Sequence, residues 1–376
     1  MNTAKSLRHA LHAAPELSGG ETATAEKIIT WFKALAPDEI LTGLGGTGVA
    51  IIFGESGSGP TIMLRSELDA LPILETNEMP HRSTTDGISH QCGHDGHMAI
   101  LAAVGAALAK KRPRNGRVVL LFQPAEETGD GANAVADDAG FAAIRPDRVF
   151  ALHNLPGYPL GQIVVRDGTF TCASRGIDIR LRGCTAHAAQ PETGRSPSRA
   201  MREIIALLEG LSDDFDSGDE LAFATVVGAR LGDRAFGVSP GTAAVWATLR
   251  TESDAVMQAL VSHCEGRVRD IAKGENLDVD IQYEDVFAAT VNAPRAVETI
   301  RLACEGLPLV EAARPFRWSE DFGRFTRESE GAFFALGAGE DMPALHNEDY
   351  DFPDALIDRG ADVFLRIIDA CLDEAA

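Results

Sequence analysis

The chain has 376 residues, of which 45% are hydrophobic, and its formal net charge is −22. A chain of this length and composition can bury a large core, and we expect two globular domains. The negative charge opposes binding to nucleic-acid phosphates and anionic lipids, and no apolar run approaches the roughly 18–20 residues of a membrane span. Since the first residues also lack the features of a secretory signal, we expect a cytoplasmic protein without a nucleic-acid or membrane partner.

From the start to about residue 168, stretches typical of helices and of strands alternate. Helical spacing of apolar residues predicts helices over 3–14, 21–35 and 97–111. Apolar runs predict strands over 49–53, 61–68, 117–122 and 148–152. This alternation favours an α/β fold with a mainly parallel sheet that is covered by helices.

The pattern changes after Thr171, where apolar and polar residues begin to alternate as in half-buried strands. The predicted strands are 176–182, 224–231, 243–251 and 277–283, and the predicted helices are 198–211 and 254–272. The first pattern then returns, with a strand over 331–336 and a terminal helix over 354–372. We therefore predict one domain made of residues 1–172 and 288–376, interrupted by a smaller α+β domain of residues 173–287.

The segment from His90 to His97 holds three imidazoles, a thiol and a carboxylate within eight residues, directly before a predicted helix. In a loop that leads into a helix, Cys92 and His94 can turn toward one ion. Thiolate and imidazole together suit zinc, cobalt, nickel or manganese better than calcium or magnesium. A structural zinc, or a buried thiol beside surface histidines, would also account for the segment.

Glu126 and Glu127 follow the predicted strand 117–122, at the end where α/β sheets place their ligands. Neighbouring residues of an extended chain point to opposite faces. One carboxylate could therefore bind an ion while the other acts as a general base. The pair could equally cap a following helix, because acidic residues are common at helix N-termini.

Two more histidines complete a candidate metal centre. His153 follows the predicted strand 148–152, and His346 lies in the returning part of the first domain. Either histidine alone would be read as structural. Together with Cys92, His94 and Glu127, they supply enough ligands for two ions that share a bridging group, an arrangement that suits hydrolysis.

Seven short motifs run in order along nearly the whole chain. They are His12-Ala-Ala-Pro-Glu-Leu17, Leu64-Arg-Ser-Glu-Leu-Asp-Ala-Leu-Pro72, Cys92-Gly-His-Asp-Gly-His97, Phe122-Gln-Pro-Ala-Glu-Glu127, Gly183-Cys-Thr-Ala-His187, Ser319-Glu-Asp-Phe322 and Leu345-His-Asn347. In these motifs the chain resembles the M20 metallopeptidase family, and most closely its amidohydrolase branch of aminoacylases, hippurate hydrolases and auxin-conjugate hydrolases. The resemblance implies a catalytic domain with two divalent metal ions (zinc, manganese, cobalt or nickel). It also implies that the inserted domain is a lid that forms a homodimer.

The resemblance also implies roles for single residues. Glu126 matches the catalytic base, and His90 and His97 match no functional position. Asp95 is left as a loop residue or a supporting group. The residues that match metal ligands are Cys92, His94, Glu127, His153 and His346.

Three further positions take their meaning from the resemblance alone. Asp69 matches a residue that orients a metal ligand. His187 matches a lid histidine that reaches the partner's active site and stabilises the developing oxyanion. Arg250 matches an arginine that holds a substrate carboxylate. Without the family, His187 would be read as a surface turn residue and Arg250 as a solvated charge at a strand end.

The chain departs from the family pattern at two informative positions. Glu67 stands where the branch usually has aspartate, so its carboxyl group is one methylene longer near the metal centre. Gly237 stands where the family commonly has an asparagine that is often used on substrate. These changes leave open whether Glu67 contacts the ions and how a substrate carboxylate is recognised.

We therefore expect a metal-dependent amidohydrolase that cleaves the amide bond of an N-acyl amino acid or a related small amide. Glu126 would act as the general base toward a metal-activated water. A dipeptidase or carboxypeptidase of the same family would need the same ions and would differ on the acyl side of the pocket. A non-catalytic metal-containing binding protein is the third alternative, which the retention of Glu126 opposes.

Overall fold

The structure is a computed structural model that describes residues 3–55, 57 and 59–373. The chain divides into two compact units. The first comprises Met1–Phe170, Thr290–Pro315 and Glu320–Ala376, and the second comprises Thr171–Ala289 and Phe316–Ser319. The outermost residues of the predicted first domain, 1–2 and 374–376, lie outside the described residues. The assignment of the first unit as the catalytic domain and of the second as the lid stays a prediction.

Strands and helices alternate along most of the described chain. The strands are β1 (Glu39–Leu44), β2 (Gly48–Gly54), β3 (Thr61–Glu67), β4 (Arg117–Gln123), β5 (Arg148–Pro156), β6 (Ile163–Val165), β7 (Gly168–Thr171), β8 (Ala173–Arg182), β9 (Ala186–His187), β10 (Ala222–Leu231), β11 (Val238–Ser239), β12 (Thr242–Thr251), β13 (Asp278–Phe287), β14 (Thr290–Asn292), β15 (Leu309–Glu311) and β16 (Glu330–Gly339). The α-helices are α1 (Ala4–His12), α2 (Thr22–Lys33), α3 (His94–Lys110), α4 (Gly131–Asp137), α5 (Ser198–Glu209), α6 (Leu211–Asp214), α7 (Asp254–Gly274), α8 (Pro294–Ala303), α9 (Gly323–Thr326) and α10 (Ala355–Asp373).

The first unit is built on an eight-stranded sheet with the strand order β1-β2-β4-β3-β5-β16-β6-β15. The four central strands, β4, β3, β5 and β16, run parallel to one another. On one side β2 pairs antiparallel with β4, and β1 pairs antiparallel with β2. On the other side β6 pairs antiparallel with β16. All four central strands are among the predicted ones, because each contains a run of consecutive apolar residues. The short strands β6 and β15 escape prediction because three residues are too few to show a period.

Helices cover both faces of this sheet, as the alternation predicts. Helices α1, α2, α3, α8 and α10 form one apolar core with alternate strand residues, and α4 and α9 contact the opposite side. In the main core Phe32 of α2 meets Phe122 of β4 edge to face, with ring centroids 5.5 Å apart. Phe334 of β16 and Phe364 of α10 make a similar pair at 5.6 Å. Burial on both faces explains why the central strands contain runs of apolar residues rather than an apolar–polar alternation.

The second unit is a smaller α+β layer. Its main sheet is antiparallel, with the order β10-β12-β8-β13. One face packs against α5 and α7 through buried residues such as Ile179, Val245, Ile204 and Leu260. None of the helices in the described part of the chain combines the length and apolar character that a bilayer crossing requires.

Several predicted element ends differ from the structure by a few residues, and two of these differences concern the candidate site. Helix α3 begins at His94, three residues before the predicted start, because Gly93 takes a left-handed conformation (φ 91°) at the N-cap position. His94 therefore lies in the first turn of the helix. Strand β5 continues to Pro156, so His153 lies inside the strand, where it pairs with Ala335 of β16.

Helix α3 packs so tightly at Gly96 that we expect Gly96→Ala to destabilise the fold. A methyl group there would lie 2.3 Å from ring carbons of Phe352, which is itself buried. Overpacking of this kind lowers the free energy of unfolding by about 1–3 kcal/mol. Urea unfolding of the variant measures the change, and unaltered stability would contradict this account of the packing.

Gly266→Ala is the matched control in helix α7. Apart from its chain neighbours and the nearby backbone of its own helix, no atom of the described residues lies within 4 Å of a methyl group placed there. Alanine is the better helix former by about 1 kcal/mol, so this variant should be as stable as the parent or more so.

Candidate metal centre

The five predicted metal ligands all lie in the first unit, and the structure brings them together. They come from the start of α3, the loop after β4, strand β5 and the turn that follows β16. Their ligand atoms form overlapping groups in which all members lie within 4.8 Å of one another. The groups are Cys92 with His94 and His153, Cys92 with Glu127 and His346, and His94 with Glu126 and Glu127.

The distances between ligand atoms suit shared ions. Cys92 Sγ lies 3.4 Å from His153 Nε2. His94 Nε2 lies 3.8 Å from Glu127 Oε1, and His346 Nε2 lies 3.9 Å from Glu127 Oε2. Ligand atoms at about 2.0–2.3 Å from one zinc-like ion are separated by distances of this order. Glu127 thus presents one oxygen to each of two histidines.

Hydrogen bonds of the Nδ1 atoms fix the orientation of two of the histidine rings. His94 Nδ1 lies 2.9 Å from the carbonyl oxygen of Asp69, and His153 Nδ1 lies 2.8 Å from that of Asn154. Because a carbonyl oxygen can only accept, Nδ1 carries a hydrogen in both rings, and in the neutral form of each ring Nε2 presents its lone pair to the centre. His94 Nε2 is buried with no hydrogen-bond partner among the described residues. A buried acceptor of this kind fits a metal ligand.

The two glutamates do not diverge as an extended chain would make them. They lie in a turn after Ala125, whose φ is 50°. Glu126 Oε2 is 3.9 Å from His94 Nε2, almost as close as Glu127 Oε1. The prediction that the pair points to opposite faces is therefore wrong, because the turn rotates both carboxylates toward the same imidazole.

The centre holds more buried acidic groups than its cations can balance. Burial raises the pKa of Glu126 well above its usual range, and the charges of Glu320, Glu127 and Asp321 raise it further. Burial likewise raises the pKa of Glu127 to about 7. Burial and both glutamates raise the pKa of the Cys92 thiol. A divalent cation supplies the missing positive charge, so the thiol, imidazole and carboxylate groups fit zinc, manganese, cobalt or nickel.

The pKa of His94 reflects the same excess of acidic groups. Burial lowers its pKa, but the hydrogen bond with Asp69 and the charges of Glu67 and Glu127 outweigh burial and raise the pKa to about 10. The charges of its acidic neighbours therefore favour a cation next to the His94 ring.

Asp69 supports the ligands as the resemblance implies. Its Oδ2 accepts the backbone N–H of Glu127 at 2.9 Å and the hydroxyl of Ser18 at 2.7 Å. Its backbone carbonyl orients His94. Burial raises the pKa of Asp69, but its hydrogen bonds, first that of His94, lower it overall. This geometry supports an orienting role for Asp69.

His187 and Arg250 belong to the second unit, whereas the predicted metal ligands belong to the first. His187 is exposed on β9, and the backbone N–H of Ala189 donates to its Nδ1 at 3.0 Å. The neutral ring therefore carries its hydrogen on Nε2, the form that can donate to an anion. Arg250 lies near the end of β12, and its Nη1 donates to the carbonyl of Arg317 and the hydroxyl of Ser319.

Sequence reasoning missed a buried network beside the ligands. His97, which has no role by the resemblance, lies 2.6 Å through Nδ1 from Glu67 Oε2 and also bonds Asn154 through Nε2. Its ring centroid is 4.7 Å from that of His153. The other oxygen of Glu67 accepts from Arg65. Glu67 was marked by its departure from the family pattern, whereas nothing in the sequence singled out Asn154.

His90 and Asp95 are also buried. His90 packs toward the ring of His12, with centroids 6.2 Å apart. Asp95 accepts hydrogen bonds from Arg8 at 3.1 Å and from His12 at 2.9 Å. Asp95 is therefore a supporting group that anchors helix α1 to the first turn of α3.

Comparison with known proteins agrees with this geometry. Residues 63–370 match the model of peptidase family M20/M25/M40. Hippurate hydrolase of Campylobacter jejuni is 29% identical over 366 residues, which cover 96% of this chain and 94% of that protein. N-acetyldiaminopimelate deacetylase of Listeria monocytogenes is 28% identical over 377 residues, covering 98% and 100%. The crystal structure of Bacillus subtilis YXEP, a dinuclear metal binding peptidase from the M20 family, superposes with a TM-score of 0.82 at 26% identity and covers 98% and 97% of the two chains.

Proposed function

The chain belongs to peptidase family M20/M25/M40, and we propose that it is a metal-dependent amidohydrolase that cleaves the amide bond of N-acyl amino acids or related small amides. The observation that carries the proposal is the convergence of thiol, imidazole and carboxylate ligand atoms around His94 Nε2, beside the buried carboxyl group of Glu126. Two relatives, named a hippurate hydrolase and an N-acetyldiaminopimelate deacetylase, support an amide as the substrate.

We propose that Cys92, His94, Glu127, His153 and His346 hold two divalent ions. The two oxygens of Glu127 lie near different histidines, which supports Glu127 as the shared ligand. When bound, the ions would lower the pKa of a water molecule and polarise the substrate carbonyl.

Glu126 is the group that moves the proton in this proposal. Burial and the neighbouring acidic groups raise the pKa of Glu126, which strengthens it as a proton acceptor. Glu126 would take a proton from the attacking water and deliver it to the leaving amine nitrogen. Asp69 would keep Glu127 and His94 in place through the hydrogen bonds described above.

The second unit would contribute groups that contact the substrate. The Nε2–H of His187 is suited to donate to the developing oxyanion. We also propose Arg250 as the site of a substrate carboxylate, which would use guanidinium nitrogens other than Nη1, since Nη1 is bonded within its own unit.

We further propose a homodimer formed through the second unit, and a cytoplasmic location. The dimer proposal is supported by the family resemblance and by the exposed position of His187, which a partner subunit could receive. Sedimentation velocity at several protein concentrations tests it, with a dimer as the expected species.

Hydrolysis assays on a small amide library test the activity. The metal-free protein should be inactive, and addition of Mn²⁺, Zn²⁺ or Co²⁺ should restore cleavage of acetyl and benzoyl amino acids. Preference for aminoacyl amides over these substrates would favour the dipeptidase or carboxypeptidase alternative. Absence of hydrolysis with every ion, in protein that binds the ions, would favour a metal-containing binding protein.

A further inference from the structure

The segment 124–132, here called the glutamate loop, carries Glu126 and Glu127 between β4 and α4. Three buried acidic side chains from distant parts of the first unit accept hydrogen bonds from its backbone. Glu21 Oε1 accepts from the N–H of Ala125 at 2.9 Å, Asp69 Oδ2 from that of Glu127 at 2.9 Å, and Asp321 Oδ2 from that of Ala132 at 2.8 Å. The loop is therefore fixed at its start, its middle and its end.

The conformation of the glutamate loop needs such support. Ala125 has a φ of 50°, in the left-handed region that residues other than glycine rarely adopt. The N–H of Gly131 donates to the carbonyl of Ala125 at 3.0 Å, and a methyl group at Gly131 would lie 1.7 Å from the carbonyl oxygen of Pro124. A strained backbone of this kind persists only where its surroundings hold it.

Glu21 links the glutamate loop to two other segments of the first unit. Its side chain is fully buried, and both oxygens are used: Oε1 also accepts from the N–H of Gly19 at 2.8 Å, and Oε2 accepts from the hydroxyl of Thr47 at 2.8 Å. Glu21 stands at the N-cap position of α2, yet within the described chain its side chain makes no capping bond there. A buried acidic group is costly to the fold unless its hydrogen bonds compensate.

Glu16, and not Glu21, bonds the first turn of α2 through its side chain. Its Oε2 accepts from the N–H of Thr24 at 2.7 Å and from the hydroxyl of Thr24 at 2.9 Å. Glu16 and Glu21 thus flank the same helix start, and of the two only Glu21 bonds the glutamate loop. This difference makes Glu16 a matched control for Glu21.

We infer that Glu21 is a positioning residue for the proposed hydrolysis, acting through Ala125 to hold Glu126 and Glu127 in their places. The inference rests on the proposed function, because it assigns Glu21 a role in that reaction. A displacement of about 1 Å in a reacting group lowers the rate by up to roughly 100-fold. Because Ala125 directly precedes Glu126, loss of its hydrogen bond would release the backbone next to the base.

Shortening the side chain tests the inference. Glu21→Asp keeps the charge but withdraws the oxygens from Ala125. We expect kcat to fall about 10–100-fold with KM changed less than about threefold, and the amides of residues 123–132 to exchange with deuterium at least about tenfold faster. Glu16→Asp should leave kcat and the exchange of residues 123–132 unchanged. Parent-like kcat or parent-like exchange in Glu21→Asp would overturn the inference.

Glu21→Gln provides an independent variant, which keeps the length of the side chain and one acceptor oxygen. It should retain kcat within about threefold of the parent, since positioning requires the acceptor and not the charge. A loss as large as that of Glu21→Asp would overturn positioning through this hydrogen bond. If the parent protein hydrolyses no N-acyl amino acid, the proposed function fails, while deuterium exchange still decides whether Glu21 fixes the glutamate loop.

Discussion

Glu126→Gln is expected to lower kcat by about 10²–10⁴-fold while the protein keeps its bound metal. Glutamine has the same shape as glutamate but cannot accept a proton from the attacking water. The fold should not suffer, because burial, Glu320 and Glu127 already raise the pKa of Glu126, and removal of its charge relieves that repulsion. We therefore expect a melting temperature equal to or above that of the parent. Steady-state kinetics and metal analysis of the dialysed protein measure both effects.

The neighbouring Glu127→Gln variant separates the base from the ligands. It should lose metal as well as activity, because the oxygens of Glu127 face both His94 and His346. Retained turnover in Glu126→Gln would remove Glu126 as the base. Loss of metal from Glu126→Gln as well would make Glu126 a ligand.

The central sheet can be predicted from the sequence because burial on both faces leaves a direct mark there. Each of β3, β4 and β5 contains a run of apolar residues, and their adjacency explains why the site forms where it does. The strand order β4-β3-β5 brings together Glu127 and Asp69, which follow their strands, and His153, which lies in the second half of β5. Ligand sites at such an edge are a general property of parallel sheets.

The start of α3 could not be predicted because its partners are distant in sequence. Residues 94–96 precede the predicted helix and were therefore read as a loop, yet all of them are buried. Asp95 tolerates burial because Arg8 and His12 of α1 bond to it. Sequence periodicity reports whether a residue is polar, but not whether a remote partner satisfies it.

The turn of the glutamate pair escaped prediction for a similar reason. Local sequence favours an extended chain after Pro124, and nothing in it marks Ala125 for a positive φ. The hydrogen bonds of Glu21 and Asp69 determine that conformation, and both come from residues more than fifty positions away. The motif therefore predicted the identity of the functional carboxylates but not their arrangement.

Cys92→Ala should reduce the bound metal below two ions per chain and lower kcat/KM by more than about 100-fold. Cys92 belongs both to the group with His94 and His153 and to the group with Glu127 and His346. Its loss therefore removes a ligand atom from the side of the centre that faces His153. Since even changes to groups that only orient metal ligands cost about 10–100-fold, loss of a ligand should cost more.

Cobalt distinguishes a ligand from a thiol that merely fills space. In the cobalt-loaded parent, a sulfur-to-cobalt charge-transfer band is expected, and Cys92→Ala should lack it. Cys304→Ala is the matched control, because Cys304 is buried in the core of the same unit and its thiol belongs to none of the ligand groups found among the described residues. That variant should lose some stability but keep the band and the full metal content. Two ions and an unchanged band in Cys92→Ala would exclude its sulfur from the centre and leave the histidines and Glu127 to hold the metal without it.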